Sequence, residues 1–391
     1  VNYSEVTTLS YEERVRGGRV AVEAVGGRVP LIIGVSGPGH SAAADYARRA
    51  AKVTAEEMLQ LGLNMNLAPV LDVNNNPGNP AIGVRSYGES PELVAAMGAK
   101  AIAASQSTGV LATAKHFPGK GDVTVDSHID LPHVPHSRER LNQVELVPFK
   151  AAIAAGVGAI MTAHVTFPAI EPDPLLPATM SQRVLQGLLR DELGFKGIII
   201  TDDLFMGAIS KSYGLAEAAI RSINAGADIV LMCHKPDEQA VAIGAIWEAV
   251  RSGRISMERI DSSVRRVLSM KALFGILTPP VLTSMPKGVG SQANRKLALA
   301  IARESVTVIQ DRDGIIPFLL PEDDVGGGAS GECGVGRDDS NSVDVLVISP
   351  DIKNLTMVED TGSHGSPLAK AVRMFVPGAS EMTGSQAPSD R

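Results

Sequence analysis

Gly197-Ile-Ile-Ile-Thr-Asp-Asp203 is the stretch on which the fold turns. Three consecutive isoleucines are β-branched and apolar at every position, so the run suits a strand covered on both faces, not one alternating between core and water. Where the apolar run stops, two carboxylates begin. Outward from it the same pattern recurs at Pro30–Val35, Met65–Leu71, Val110–His116, Ala159–His164 and Ala227–Cys233, and an opening strand over Val1–Thr7 makes seven. Helical periodicity fills the intervals, clearest over Ala42–Leu59 and Ser181–Leu193. Alternation of this kind builds βαβ units and a parallel sheet. The alternatives are a closed (β/α) barrel of the TIM type and a doubly wound open sheet. Polar residues gather where the strands end: Asp72, Lys115 with His116, His164, Asp202 with Asp203, and His234. All strand C-termini of a barrel open on one face, where barrel enzymes do their chemistry, so the repetition favours the barrel.

The chain of 391 residues exceeds the roughly 250 of a typical barrel. A Thr-Pro-Pro break after Leu277 and a loose linker through Lys287-Gly-Val-Gly290 divide it into a barrel over 1–278 and a second α/β unit over 288–391. That unit offers a helix at Gln292–Glu304, strands at Val306–Gln310 and Asp344–Ser349, a Gly-rich stretch between them and a tail from Ser385 expected to be disordered. With 44% hydrophobic and 20% charged residues, the composition is that of a folded globular protein. A net charge of -7, with no basic cluster interleaved with aromatics, argues against a nucleic-acid partner. The start VNYSEVTT lacks a basic segment followed by an apolar run, and no stretch reaches the roughly 18–20 apolar residues of a membrane span. The expectation is a soluble, cytoplasmic protein acting on a small molecule, with two cysteines too few for a disulfide scaffold.

Two sets of residues can carry chemistry. Asp202 follows its strand directly, so its carboxylate projects into the barrel mouth from a rigid element. The competing reading is that Asp202 or Asp203 caps the next helix, and the doublet permits Asp203 to cap while Asp202 reacts. The densest group of functional side chains is Lys115-His-Phe-Pro-Gly-Lys-Gly-Asp-Val-Thr-Val-Asp-Ser-His128. Lys115 and His116 leave a strand end and can donate to hydroxyl groups. Asp126 and His128 are two apart and can meet in a loop, where the carboxylate orients the imidazole for proton transfer. The bland alternative is a solvated loop with a local Asp–His contact. His128, His133 and His136 also raise a metal site, but prolines at 132 and 135 break any common face, so no metal is expected. Gly34-Val-Ser-Gly-Pro-Gly39 is phosphate-cradle-like without the lysine or glycine register of one. No cofactor is expected.

From about Leu61 onward the chain resembles family 3 glycoside hydrolases in their β-N-acetylglucosaminidase branch. The matching motifs are Asn66-Leu-Ala-Pro-Val-Leu-Asp72, Ile82-Gly-Val-Arg-Ser86, Lys115-His-Phe-Pro-Gly119, Asp126-Ser-His128, Met161-Thr-Ala-His164 and Thr201-Asp-Asp-Leu204. The resemblance implies a retaining exo-hydrolase that releases terminal β-linked N-acetylglucosamine through a covalent intermediate on Asp202, with His128 as acid/base assisted by Asp126. It further implies that Arg85, Lys115 and His116 hold the sugar, with Asp72 and His164 as supports. Lys120 stands where the family usually has histidine. A β-glucosidase of the same family and a folded but impaired chain that only binds sugar are the alternatives.

The second unit resembles that of two-domain members, with Ala302-Arg-Glu-Ser-Val-Thr-Val308 as its opening, and is expected to be shorter than theirs. Residues 5–50 resemble instead the dihydrodipicolinate synthase family, another barrel, which implies a hybrid. On that alignment Ser36 takes the place of the family's sugar-gripping aspartate.

Overall fold

The computed structural model of the chain describes residues 40–127, 129–277, 288–304, 346–350 and 380–384. The expected strands at Val1–Thr7, Pro30–Val35 and Val306–Gln310, the Gly-rich stretches and the tail lie outside them. The described residues belong to two compact units, one holding 40–304 and the other the pair β5 (Leu346–Pro350) and β6 (Ser380–Gly384). Those two strands are parallel, with Leu346 opposite Ser380.

In the larger unit the parallel strands run in chain order: β1 (Met65–Asn66), β2 (Leu111–Phe117), β3 (Ala159–Thr162) and β4 (Ile198–Ile200). Their register pairs Met65 with Leu111, Thr113 with Ala159, and Ala159 with Ile198. A bridge between Ile200 and Ile229 continues the arc to the segment predicted as strand Ala227–Cys233. Sequential order with a helical crossover at each step is the arrangement of a (β/α) barrel. The run Met65–Leu71 is regular strand only at its start. Pro69 has no N–H to give, so pairing persists through Thr113 and Lys115 N–H groups donating to the Ala68 and Pro69 carbonyls.

The crossover helices include α1 (His40–Gln60), α2 (Pro91–Ser107), α3 (Arg138–Gln143) and α4 (Val147–Ala154). Ser90 and Ser137 cap α2 and α3, accepting N–H bonds from Leu93 and Arg140. Helix α5 (Arg183–Glu192), expected as an ordinary helix, is wound with π-type bonds, Leu193 N–H reaching the Leu188 carbonyl. The buried stripe Val184, Leu185, Leu188 and Leu189 survives that winding. After α6 (Gly207–Ser210), α7 (Leu215–Ala225), α8 (Pro236–Arg251) and α9 (Met257–Leu273) comes α10 (Gln292–Glu304). The sequence groups α10 with the second unit. In the structure it sits in the larger one, where Gly290 N–H and Asn294 Nδ2 donate to Glu57 of α1.

The core lies between the strands and α2, α4 and α5. Phe117 and Phe149 meet edge to face at 5.3 Å, both fully buried beside Phe167, Phe195 and Ile160. Each such ring contributes about 1.5–3 kcal/mol by leaving water. At the start of the bridged segment Ala227–Cys233 buried Asp228 gathers Arg190, Arg259 and Arg266 at 2.7, 2.8 and 3.0 Å, tying α5, α9 and the sheet together.

Candidate active site at the strand C-termini

Asp202 leaves β4 with 16% of its side chain exposed, as the apolar run predicts. Its Oδ1 accepts the N–H of Asp203, and its Oδ2 faces Lys120 Nζ at 3.6 Å and His116 Nε2 at 3.8 Å. Asp203 does not cap a helix. Its Oδ1 accepts the N–H groups of Phe205 and Cys233, bracing the turn against the neighbouring strand end, while α6 begins at Met206 without a side-chain cap. The two carboxylates therefore divide their work: Asp202 Oδ2 faces Lys120 and His116, while Asp203 braces backbone with Oδ1 and lies 3.7 Å from His234 Nε2 with Oδ2.

Strand β2 delivers Lys115 and His116 across a cis peptide to the same place. Buried Asp72 receives His116 at Oδ2, from the ring Nδ1–H at 2.7 Å, and the Lys120 N–H at Oδ1, also at 2.7 Å. A proton on Nδ1 leaves Nε2 as the acceptor for Arg85 Nη2, 3.4 Å away. Arg85 Nη1 donates to the Ala81 carbonyl, which aims the guanidinium. His164, fully buried, donates from Nε2 to the Asp203 carbonyl and meets Thr179 Oγ1 at Nδ1, so it props the turn behind Asp202. Arg85, Lys115, His116, Asp72 and Asp202 are thus brought together, with His164 beneath them.

The electrostatics follow from burial. Desolvation raises the Asp72 carboxyl against the pull of Lys120, Arg85 and two backbone N–H bonds. Burial lowers Lys115 to about 8, with Arg85 nearby adding to the effect. Burial would lift Asp202, but Lys120, His116 and His164 with the Asp203 N–H outweigh it and hold the carboxyl below the usual carboxylate range. His116 is itself driven well below its ordinary value, by burial first and then by Lys120, and burial lowers His164 too. Two imidazoles that are neutral at pH 7 exert little of that pull there, so the cation acting on Asp202 is chiefly Lys120.

The loop after β2 runs back over this ground. Gly121 passes so close to the chain before it that a Cβ there would lie 1.8 Å from the Val73 carbonyl oxygen, which requires glycine. Asn79, buried, donates to the Lys120 and Gly121 carbonyls and accepts from Ala81 and Ile82, locking the loop to the Arg85 turn. His136 Nε2 meets Asp122 at 2.8 Å and His133 Nδ1 meets Thr166 Oγ1 at 2.9 Å, so these two imidazoles have separate partners. Among the described residues no group of three His, Cys, Asp or Glu is placed to hold a metal. Asp126 is buried, and Ser127 carbonyl accepts the Ala208 N–H while Lys211 Nζ donates to the Ile129 carbonyl. Ser127 and Ile129 are therefore pinned to the chain just beyond Asp202. His128 itself and Ser36 lie outside the described residues.

Sequence reasoning did not find the partnership of Lys120 with Asp202, nor Asn79. A lysine between two glycines reads as a solvated loop residue, and only its density of functional neighbours marks it. Asn79 carries the signal of an Asn-Pro turn.

A family model described as the glycosyl hydrolase family 3 N terminal domain matches residues 6–270. It begins at residue 6, not near Leu61 as the motifs alone led us to expect, and so takes in the opening segment for which a likeness to dihydrodipicolinate synthases was expected. The chain is 36% identical over 291 residues to "Beta-hexosaminidase A" of Pseudoalteromonas piscicida, covering 70% of this chain and 48% of that protein. It is 34% identical over 284 residues to "Beta-N-acetylglucosaminidase/beta-glucosidase" of Cellulomonas fimi, covering 70% and 50%. It spans about half the length of these curated relatives. Among solved structures, a glycoside hydrolase family 3 beta-N-acetylglucosaminidase from Paenibacillus sp. str. FPU-7 superposes with a TM-score of 0.72 at 40% identity, over 93% of this chain and 68% of that one. The strands, the clustered strand-end residues and these likenesses agree: the chain belongs to glycosyl hydrolase family 3, and residues 6–270 match the family's N-terminal domain, a TIM-type α/β barrel.

Proposed function

We propose that the chain is a retaining β-N-acetylglucosaminidase that removes terminal β-linked N-acetylglucosamine from a carbohydrate. The observation that carries the reading is Asp202: an ionised carboxylate at the end of β4, facing Lys120 and His116 across 3.6 and 3.8 Å, with the Asp126–Ser127 segment fastened beside it. Asp202 attacks the anomeric carbon as the glycosidic bond breaks. The electron pair stays on the leaving oxygen, which takes a proton from His128. Water then attacks C1, gives its proton back to His128, and the bond to Asp202 breaks with its electron pair returning to the carboxylate. Asp126 orients His128. Arg85, Lys115 and His116 bind sugar hydroxyls, Asp72 fixes His116, and His164 supports the turn. The Asp126-Ser-His128 signature and the printed names of the relatives support N-acetylglucosamine as the sugar.

The Cellulomonas relative carries both activities in its name, which supports a β-glucosidase as the second reading. Chromogenic β-N-acetylglucosaminide and β-glucoside assayed side by side separate the two. A kcat/KM at least tenfold higher on the N-acetylglucosaminide is expected, and preference for the glucoside would replace the first reading with the second. Activity on neither would support the impaired hybrid in which Ser36 has replaced a sugar-gripping aspartate.

A further inference from the structure

Lys120 has a buried ammonium group that the scheme above does not use. Its backbone is fixed on both sides, the N–H on Asp72 Oδ1 at 2.7 Å and the carbonyl under Asn79 Nδ2 at 2.8 Å. The side chain is 1% exposed and ends 3.6 Å from Asp202 Oδ2. Among the described residues it is the one lysine or arginine within 4.0 Å of Asp202. The other groups around Asp202 are engaged elsewhere. His116 gives its proton to Asp72, His164 points Nε2 at the Asp203 carbonyl, Arg85 turns to Ala81 and His116, and the Asp203 carboxylate bonds backbone N–H groups. Lys115, the remaining cation near Asp202, stands beyond 4.0 Å from its carboxylate, and burial lowers it to about 8, so its charge fades above that pH.

We propose that Lys120 is the fixed cation that sets the charge of Asp202 through the reaction cycle, stabilising it as the leaving group when the glycosyl-enzyme is hydrolysed. The inference rests on the reading of Asp202 as nucleophile. In the first step Asp202 passes from carboxylate to neutral ester, so an adjacent ammonium opposes attack while keeping the group ionised at lower pH. In the second step the electron pair of the breaking C1–O bond returns to Asp202. A preorganised cation 3.6 Å from that oxygen in a nearly dry site stabilises the charge where it reappears. A histidine in this place would supply the charge only below its own titration.

The test uses the full chain and a dinitrophenyl β-N-acetylglucosaminide, whose good leaving group makes hydrolysis of the intermediate rate-limiting. Lys120→Met should lower kcat roughly tenfold or more. It should enlarge the pre-steady-state burst, change kcat/KM at pH 7 much less, and move the acid limb of kcat/KM upward by more than one pH unit. Lys120→Arg should keep both properties. Lys120→His should retain kcat only at the acid end of the profile, below the imidazole's own titration, and lose it above. Equal losses in kcat and kcat/KM with an unmoved acid limb, or a rise in KM alone, would overturn the proposal. Should circular dichroism show Lys120→Met unfolded, Lys120→His carries the test, and a pH profile identical to the parent's would sink it. Trapping with a fluorinated N-acetylglucosaminide separates the two levels. An adduct on Asp202 with unchanged Lys120 variants fails this inference alone, whereas an adduct elsewhere fails the nucleophile reading.

Discussion

Asp72 grips His116 at two points, its Oδ2 lying 2.7 Å from the ring Nδ1 and 3.2 Å from the backbone nitrogen. This fixes the imidazole tautomer, and with it the acceptor at Nε2 that Arg85 needs. Asp72→Asn keeps the shape, but whichever way the amide turns its NH2 meets a backbone N–H, that of His116 or that of Lys120, and where it faces Nδ1 it pushes the ring proton to Nε2 and against Arg85. The Asp72 carboxyl is raised by burial, and a carboxyl raised on folding weakens the fold as the pH climbs through its folded value. Loss of a backbone acceptor costs stability and removal of the buried charge offsets part of it, so Asp72→Asn should still fold at pH 7 while kcat/KM falls roughly 10- to 100-fold. Thermal melts beside kinetics check this. A kcat/KM near the parent's in a folded Asp72→Asn would make Asp72 a packing residue only.

Lys115 sets a basic limb. Burial lowers it to about 8 from 10.5, so its charge on the sugar fades above that pH, well before an ordinary lysine would titrate. The stability consequence has the opposite sign. Between about 8 and 10.5 the unfolded chain holds the proton that the folded chain has lost, so Lys115 makes stability rise with pH over that window. Activity should fall with an apparent pKa near 8, and Lys115→Arg, always charged, should lose that limb whatever its residual rate. A pH profile of kcat/KM for the two proteins decides the matter, and the same limb in Lys115→Arg would assign it to another group.

His128→Ala should slow reactions according to how badly the leaving group needs a proton. A dinitrophenyl glycoside should suffer little in bond cleavage and an unactivated sugar leaving group by roughly 100-fold or more. Equal loss on both would place His128 in binding or folding. Asp126→Asn should show a milder version of the same dependence, since the imidazole remains without its orienting charge.

What could be read from the residues was whatever strand ends dictate. Asp202, His164 and the Lys115–His116 pair sit where apolar runs give way to polar side chains, and parallel strands with crossovers bring such ends to one face whatever the loops do. The Asp202–Asp203 ambiguity needed geometry, because a capping carboxylate and a reacting one look alike in sequence. Lys120 was hidden for a different reason. A loop places its side chains through contacts distant in the chain, here Asn79 and Asp72, 41 and 48 residues away, and no local period announces them. Helix α5 showed its apolar stripe but not its π winding, since both windings bury the same face. Asp228 lay inside a run read as strand, and a charge there had to find partners; that they would be Arg190, Arg259 and Arg266 could not be told from spacing.

The identity of the nucleophile is tested most directly by incubating the full chain with a fluorinated N-acetylglucosaminide that forms the ester faster than it is hydrolysed, then mapping the adduct by peptide mass spectrometry. A single added sugar on Asp202 is expected, absent from Asp202→Asn and retained in Asp203→Asn, whose side chain bonds backbone and faces no sugar in the proposed scheme. An adduct on Asp203 or any other residue, or release of a product with inverted anomeric configuration and no adduct, would contradict it.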